Sequence, residues 1–132
     1  MEGLRVTSEV NVAVEELRAT FDQCTIDWTE DGNGGAFVTI RDVGLTPDIY
    51  EQQSSWLGFH ITHTYPYADV YPHFVRHDLS RKDKKPLGEG ISIGNFRECP
   101  AIQLSRKSNK HNPATDTAAI KAQKVLLWLN SR

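Results

Sequence analysis

The stretch WLGFHITHTYPYADVYP, residues 56–72, carries the clearest strand and turn signals in this chain. Its first seven residues read as a strand, because successive side chains of a strand point to opposite faces of a sheet. Leu57, Phe59 and Ile61 form the apolar face and are expected in the core. Two Tyr-Pro pairs follow, and proline keeps the residue before it out of the helical region. The stretch therefore predicts a half-buried strand that ends in a rigid turn, with a tyrosine ring packed beneath it.

One helix is predicted on each side of this strand. Near the start, Thr7 and Ser8 can cap a helix with their hydroxyls. Apolar residues then repeat at helical spacing, which predicts one buried stripe. This stripe contains Val10, Val14, Leu17 and Phe21. Near the end, Asn112 and Pro113 block an earlier helical start, and the same spacing recurs after them. The second stripe contains Ala118, Ala122, Val125 and Leu129, with Lys121 and Lys124 expected on the solvent face.

Between the first helix and residue 56, the chain alternates twice. Residues 24–29 and 36–40 are the alternating segments, and DGNGG at 31–35 supplies the positive backbone angles of a hairpin turn. With residues 56–62 and a short extended segment at 73–76, they give an antiparallel meander of about four strands. Both helices must bury their stripes against this sheet or each other, so the predicted class is α+β: an N-terminal helix, the meander and a C-terminal helix.

The composition fits a single soluble domain covering residues 1–132. Hydrophobic residues make up 39% and charged residues 24%, which is common in globular domains. The first five residues carry no apolar run of signal-peptide length, and the two cysteines are far apart, as reduced thiols would be; both observations favour the cytoplasm. A formal net charge of -2 creates no field that attracts nucleic acid. Neither nucleic acid nor a membrane is expected as a partner.

Residues 56–129 also carry further motifs in a characteristic order. They are Ile93-Gly94-Asn95, Gln103-Leu104 and His111-Asn112-Pro113, followed by the closing helix. This order and spacing resemble the ubiquitin-conjugating enzyme superfamily, most closely its divergent bacterial conjugating-enzyme-like members. Asn95, Leu104 and Pro113 match the family's asparagine, leucine and proline, whereas its histidine, tryptophan and cysteine are not matched. The resemblance implies a ubiquitin-conjugating-like (UBC-like) fold for this chain.

The resemblance places Gln103 where the family has its nucleophilic cysteine. An amide side chain can hydrogen-bond, but it cannot carry an acyl group and release it again. Asn95 is expected to orient a carbonyl or brace the loop. Two candidate nucleophiles remain: Cys99, which has a thiol, and Ser105, which would need an activating base. The alternative interpretation is structural, with Cys99 as a small apolar side chain and Ser105 as a turn residue.

The sequence predicts neither a metal nor another cofactor. A structural zinc site needs four ligands at short spacings, and the five histidines and two cysteines do not provide that pattern. The glycine-rich segments at 32–35 and 88–90 lack the Lys-Ser or Lys-Thr ending of a phosphate-binding loop. They are interpreted as turns.

Two functions follow from the resemblance and remain open. In the first, the chain is a docking subunit of a bacterial ubiquitin-like conjugation system, and it binds a ubiquitin-like protein, an activating enzyme or a catalytic sister subunit. In the second, it is a transferase that carries the ubiquitin-like protein as a thioester on Cys99, or as an oxygen ester on Ser105. The bacterial resemblance also implies an operon for such conjugation, for example in phage defence. A third alternative is a domain of the same fold that binds a peptide or protein across its sheet without any link to ubiquitin.

Overall fold

The computed structural model describes residues 5–132, and the chain start at residues 1–4, on which the localisation prediction partly rests, lies outside them. Two helices and six strands follow one another along the described chain. They are α1 (Ser8–Thr20), β1 (Ile26–Glu30), β2 (Ala36–Gly44), β3 (Ser54–Ile61), β4 (His73–Arg76), β5 (Ile91–Phe96), β6 (Cys99–Leu104) and α2 (Ala118–Leu129). The strands form one antiparallel sheet in the order β1-β2-β3-β4-β6-β5. The protein is therefore α+β.

The prediction of a UBC-like fold with a meander of about four strands is wrong. Strands β1 to β4 do form a meander, but β5 and β6 add a second hairpin to the sheet. The chain passes from β4 to the far edge as β5, and β6 then returns between β5 and β4. Arg97 and Glu98 form the two-residue turn of this hairpin at positive φ values of 51° and 71°. Such turns are usually marked by Asn-Gly, and without that signature the hairpin was missed.

Both helices begin where the sequence predicts and bury the predicted stripes. The Thr7 hydroxyl accepts a hydrogen bond from the Val10 amide at 3.1 Å, and Thr117 caps α2 in the same way. Phe21, at the end of α1, is only partly buried. The fully buried members of the two stripes are Val10, Val14, Leu17, Ala118, Ala122, Val125 and Leu129. All of them except Val14 pack with the apolar side chains of the strands in a single core cluster. We call the side of the sheet that the helices cover the core face and the opposite side the outer face.

The α2 helix is held at both ends by tyrosine hydroxyls. The Tyr65 hydroxyl accepts a hydrogen bond from the Ala118 amide at 3.0 Å, and the Tyr50 hydroxyl donates one to the Leu129 carbonyl at 2.7 Å. Both tyrosines are buried, and Tyr65 belongs to the first Tyr-Pro pair. The prediction that a tyrosine ring packs beneath this turn is confirmed. The contact makes the turn and the start of α2 one packed unit.

Lys121 does not lie on the solvent face, where its position in the stripe pattern predicted it. Its ammonium lies 2.9 Å from the Asp69 carboxylate and 2.7 Å from the Ser108 hydroxyl. Burial raises the pKa of Asp69, but the Ser108 amide and the Lys121 ammonium outweigh this effect and hold that pKa below its usual value. Periodicity could not predict this pair, because its two members are 52 residues apart in sequence.

His73 is a fully buried histidine on β4. Its ring packs 5.0 Å from the ring of Phe59, measured between centroids. Neither ring nitrogen has a hydrogen-bond partner among residues 5–132. The pKa of His73 is lowered to about 3, mainly by burial; the nearby Lys121 ammonium adds to this shift and Asp69 opposes it. The folded protein therefore holds His73 as the neutral imidazole.

We expect the free energy of unfolding to fall as the pH drops from about 6.5 towards about 3. The unfolded chain binds a proton at residue 73 below about pH 6.5, whereas the folded protein does not until about pH 3. His73 should contribute about 1.4 kcal/mol per pH unit to the slope of the free energy of unfolding against pH. Urea denaturation at about pH 7 and about pH 5 measures it, and His73→Leu should remove this part of the slope.

His63→Leu is the matched control, because His63 is exposed. This variant should keep most of the pH dependence of the parent. A slope that His73→Leu leaves unchanged would show that the buried imidazole is not its source.

Candidate functional site

The outer face of the sheet carries a cluster of aromatic side chains. Phe37 on β2, Trp56 on β3 and Phe74 on β4 all contact Phe96, which comes from the end of β5. The ring centroids of these three residues lie 6.3, 5.9 and 5.2 Å from that of Phe96, which is only 8% exposed. The tip of the β5–β6 hairpin therefore folds over the outer face.

Phe96 can lie against the sheet because residue 58 has no side chain. A Cβ built at Gly58 would lie 2.6 and 2.8 Å from two carbons of the Phe96 ring, closer than atoms can pack. Gly58 does not have a positive φ, so it provides space rather than an unusual backbone angle. This one glycine sets where the hairpin tip lies.

Gln103 is a strand residue on β6. It pairs with Phe74 on one side and with Ser92 on the other. Its side-chain amide donates a hydrogen bond to the Ser105 hydroxyl at 3.3 Å. Gly94 leaves room for this side chain, since a Cβ there would lie 3.2 Å from the Gln103 Oε1 atom. Gln103 is therefore a half-buried residue of β6 and does not lie in a loop.

The structure does not bring Asn95 and Gln103 together. Asn95 pairs with Pro100, whereas Gln103 pairs with Ser92, three positions further along β5. Because side chains alternate along a strand, Asn95 and Gln103 project from opposite faces of the hairpin. The arrangement that the resemblance implies, with an asparagine beside position 103, is not formed.

Ser105 follows directly after β6. Its amide donates a hydrogen bond to the Gly90 carbonyl at 2.7 Å, and its hydroxyl accepts the bond from Gln103. Within residues 5–132, its hydrogen bonds involve no histidine or carboxylate that would act as a base. The contacts of Ser105 are those of a residue that closes the end of a hairpin.

Cys99 is exposed at the hairpin tip and lines a cleft of about 510 Å³ on the outer face. Trp56 and Phe96 form aromatic walls, and Arg41 and Arg97 lie at the rim. Arg41 pairs with Asp27, whereas the Arg97 guanidinium lies over the Phe37 ring, 4.9 Å from its centroid. The cleft can accept an apolar group next to a carboxylate. Sequence reasoning identified Cys99 but missed the cleft, because its walls come from separate segments of the chain.

His60 braces the outer face near the β1–β2 turn. Its ring stacks on Phe37 at 4.3 Å between centroids, and its Nε2 atom lies 2.7 Å from the Asp31 carboxylate. Burial raises the pKa of Asp31, but hydrogen bonds from His60 and from the amides of Asn33 and Gly35 outweigh it, so the pKa lies below its usual value. Among residues 5–132, no group of three or more potential metal ligands comes together. The contacts of His60 with Asp31 and Phe37 are therefore those of a structural residue.

Comparison with known proteins finds no family model, no curated protein and no solved structure that matches this chain. In the part of the chain that the structure describes, no helix has the length and apolar character needed to cross a bilayer.

We expect Gly58→Ala to lower the free energy of unfolding by about 1–3 kcal/mol, because its methyl group must displace Phe96. Gly44→Ala is the matched control on β2, where a Cβ meets nothing within 4 Å. Chemical denaturation should show little or no loss for this control. The cost of Gly58→Ala should largely disappear in a Phe96→Ala background, as a double-mutant cycle would measure. Equal costs in both backgrounds would rule out this contact as the cause.

Proposed function

We propose that this domain docks a protein partner on the outer face of its sheet and does not carry that partner covalently at position 103. The cleft between Trp56 and the Phe96 hairpin supports the proposal. Aromatic side chains beside arginine are typical of the residues that dominate binding energy at protein interfaces. The cleft provides this combination through Trp56 on β3 and Arg97 in the turn between β5 and β6.

The partner that we propose is a ubiquitin-like protein of a bacterial conjugation system, acting in the cytoplasm. The resemblance in residues 56–129 supports this partner class; the fold itself departs from that of the family. A carboxylate of the partner would complement Arg97, which forms no ion pair within residues 5–132. An activating enzyme or a catalytic sister subunit would supply the nucleophile that position 103 lacks.

The hydrogen bonding of the hairpin favours docking over catalysis at position 103. The Gln103 amide is engaged with Ser105, and the side chain of Asn95 projects from the other face. A transferase needs a nucleophile and a stabiliser of the developing oxyanion within reach of one carbonyl. Position 103 has neither.

A second candidate function is thioester carriage on Cys99, which its exposed position on the cleft wall favours. The Cys99 thiolate would attack the thioester that joins the ubiquitin-like protein to its activating enzyme. The new thioester would form at Cys99, and the activating enzyme would leave as a thiolate. An amine of the acceptor would later take the acyl group and return the free thiol.

We expect Trp56→Ala to weaken binding of the ubiquitin-like protein at least tenfold, because it removes one aromatic wall of the cleft. Tyr67→Ala is the matched control, since Tyr67 is 79% exposed and does not line the cleft. Titration calorimetry with each folded variant measures the change. Equal affinity of Trp56→Ala and the parent protein would place the docking site elsewhere.

A gel assay separates docking from thioester carriage. The chain is mixed with the activating enzyme, the ubiquitin-like protein and ATP, and the products are run with and without reductant. Docking predicts binding without a shifted band. A shift that reductant removes, and that Cys99→Ser abolishes, would replace docking by thioester carriage. A reductant-resistant, base-labile shift lost in Ser105→Ala would indicate an oxygen ester instead.

A further inference from the structure

Charge is divided unevenly along this chain. Residues 105–132 contain six lysines and arginines but one acidic residue, Asp116, which gives a formal charge of +5. Residues 1–104 contain nine basic and sixteen acidic residues, a formal charge of -7. The overall charge of -2 therefore conceals a strongly basic C-terminal part, and such asymmetry favours interaction with an anionic partner.

Three of these cations lie around one cleft of about 190 Å³ beside α2. They are Arg106, Lys107 and Lys124. All three are exposed, and none forms an ion pair within residues 5–132. Asp116 also lines the cleft and accepts a hydrogen bond from the Asn112 amide at 2.8 Å. The remaining cation of the cleft, Lys121, is paired with Asp69. The cleft still has an excess of positive charge, because its three unpaired cations outnumber the single carboxylate of Asp116.

Aromatic rings hold two of these cations in place. The Arg106 guanidinium lies 5.0 Å from the centroid of Trp128, and the Lys107 ammonium lies 5.9 Å from that of Tyr71. Arg132 also lies over Trp128, at 4.6 Å. Cation–π contacts restrict these flexible side chains, so less conformational entropy is lost when they bind an anion.

Apolar side chains flank the basic cleft on the same helix. Ile120 and Leu127 on α2 are 40% and 72% exposed, unlike the buried stripe of that helix. They lie four residues before and three residues after Lys124, so all three share one side of the helix. Exposed apolar side chains next to unpaired cations form a mixed surface, which complements a segment that is both acidic and apolar.

We infer that this surface, the basic face (Arg106, Lys107, Ile120, Lys124 and Leu127), docks an acidic amphipathic segment of a partner protein. Nucleic acid fits the surface less well, because Trp128 and Tyr71 are already engaged by cations and the whole chain is negatively charged. The basic face lies on α2 and on the segment after β6 that packs beside it, whereas the outer-face cleft lies on the opposite side of the sheet. The inference therefore does not depend on the proposed function.

The test uses a fluorescein-labelled peptide of about twelve residues, with glutamate and leucine at helical spacing. Fluorescence anisotropy should show that the full-length chain binds this peptide and that added salt weakens the binding. A peptide with glutamine in place of glutamate should bind at least tenfold more weakly. Lys107→Glu combined with Lys124→Glu should reduce the affinity for the acidic peptide at least tenfold.

Lys82→Glu combined with Lys85→Glu is the matched control. It changes the net charge by the same amount at exposed lysines that do not line the basic cleft, and it should change the affinity less than twofold. Equal losses in both double variants would overturn the inference, because they would show attraction to net charge alone. Binding to single-stranded DNA or to anionic lipid vesicles without binding to the acidic peptide would also overturn it.

Discussion

The contact between Gly58 and Phe96 fixes how the tip of the β5–β6 hairpin lies on the outer face of the sheet. The sheet could carry a side chain at residue 58 without distorting β3, but the Phe96 ring occupies that space. The hairpin tip consequently folds onto the outer face and places Trp56 and Arg97 on the same cleft. The cleft exists because β3 lacks one side chain and a hairpin from a later segment of the chain fills the gap.

Local signals in the sequence predicted the elements that depend on local physics. The Thr7 cap, the apolar stripe of α1 and the glycine-rich turn at 31–35 each act within a few residues, and each is observed. Prediction failed where the deciding partner lies far away in sequence. Lys121 is buried because Asp69 meets it across the fold, and residues 91–104 form strands because β4 provides an edge for β6.

The candidate site illustrates the same limit at the level of single side chains. Matching spacings linked Asn95 to Gln103, but spacing along the chain does not fix the face of a strand on which a residue lies. That face is set by the register of the hairpin, and the Arg97-Glu98 turn sets the register. Both turn residues have positive φ without being glycine or asparagine, a conformation that costs free energy. Contacts of the tip with the sheet, above all those of Phe96, must offset that cost.

The two proposed surfaces lie on opposite sides of one sheet, and they differ in chemistry. The outer-face cleft combines aromatic walls with arginine, whereas the basic face on and beside α2 combines lysine and arginine with exposed aliphatic side chains. The packed core between them separates the two surfaces, and no side chain lines both clefts. A short segment bound at one surface would not reach the other. On these proposals the domain holds two partners at once, which is the geometry required of a subunit that brings proteins together without performing the chemistry.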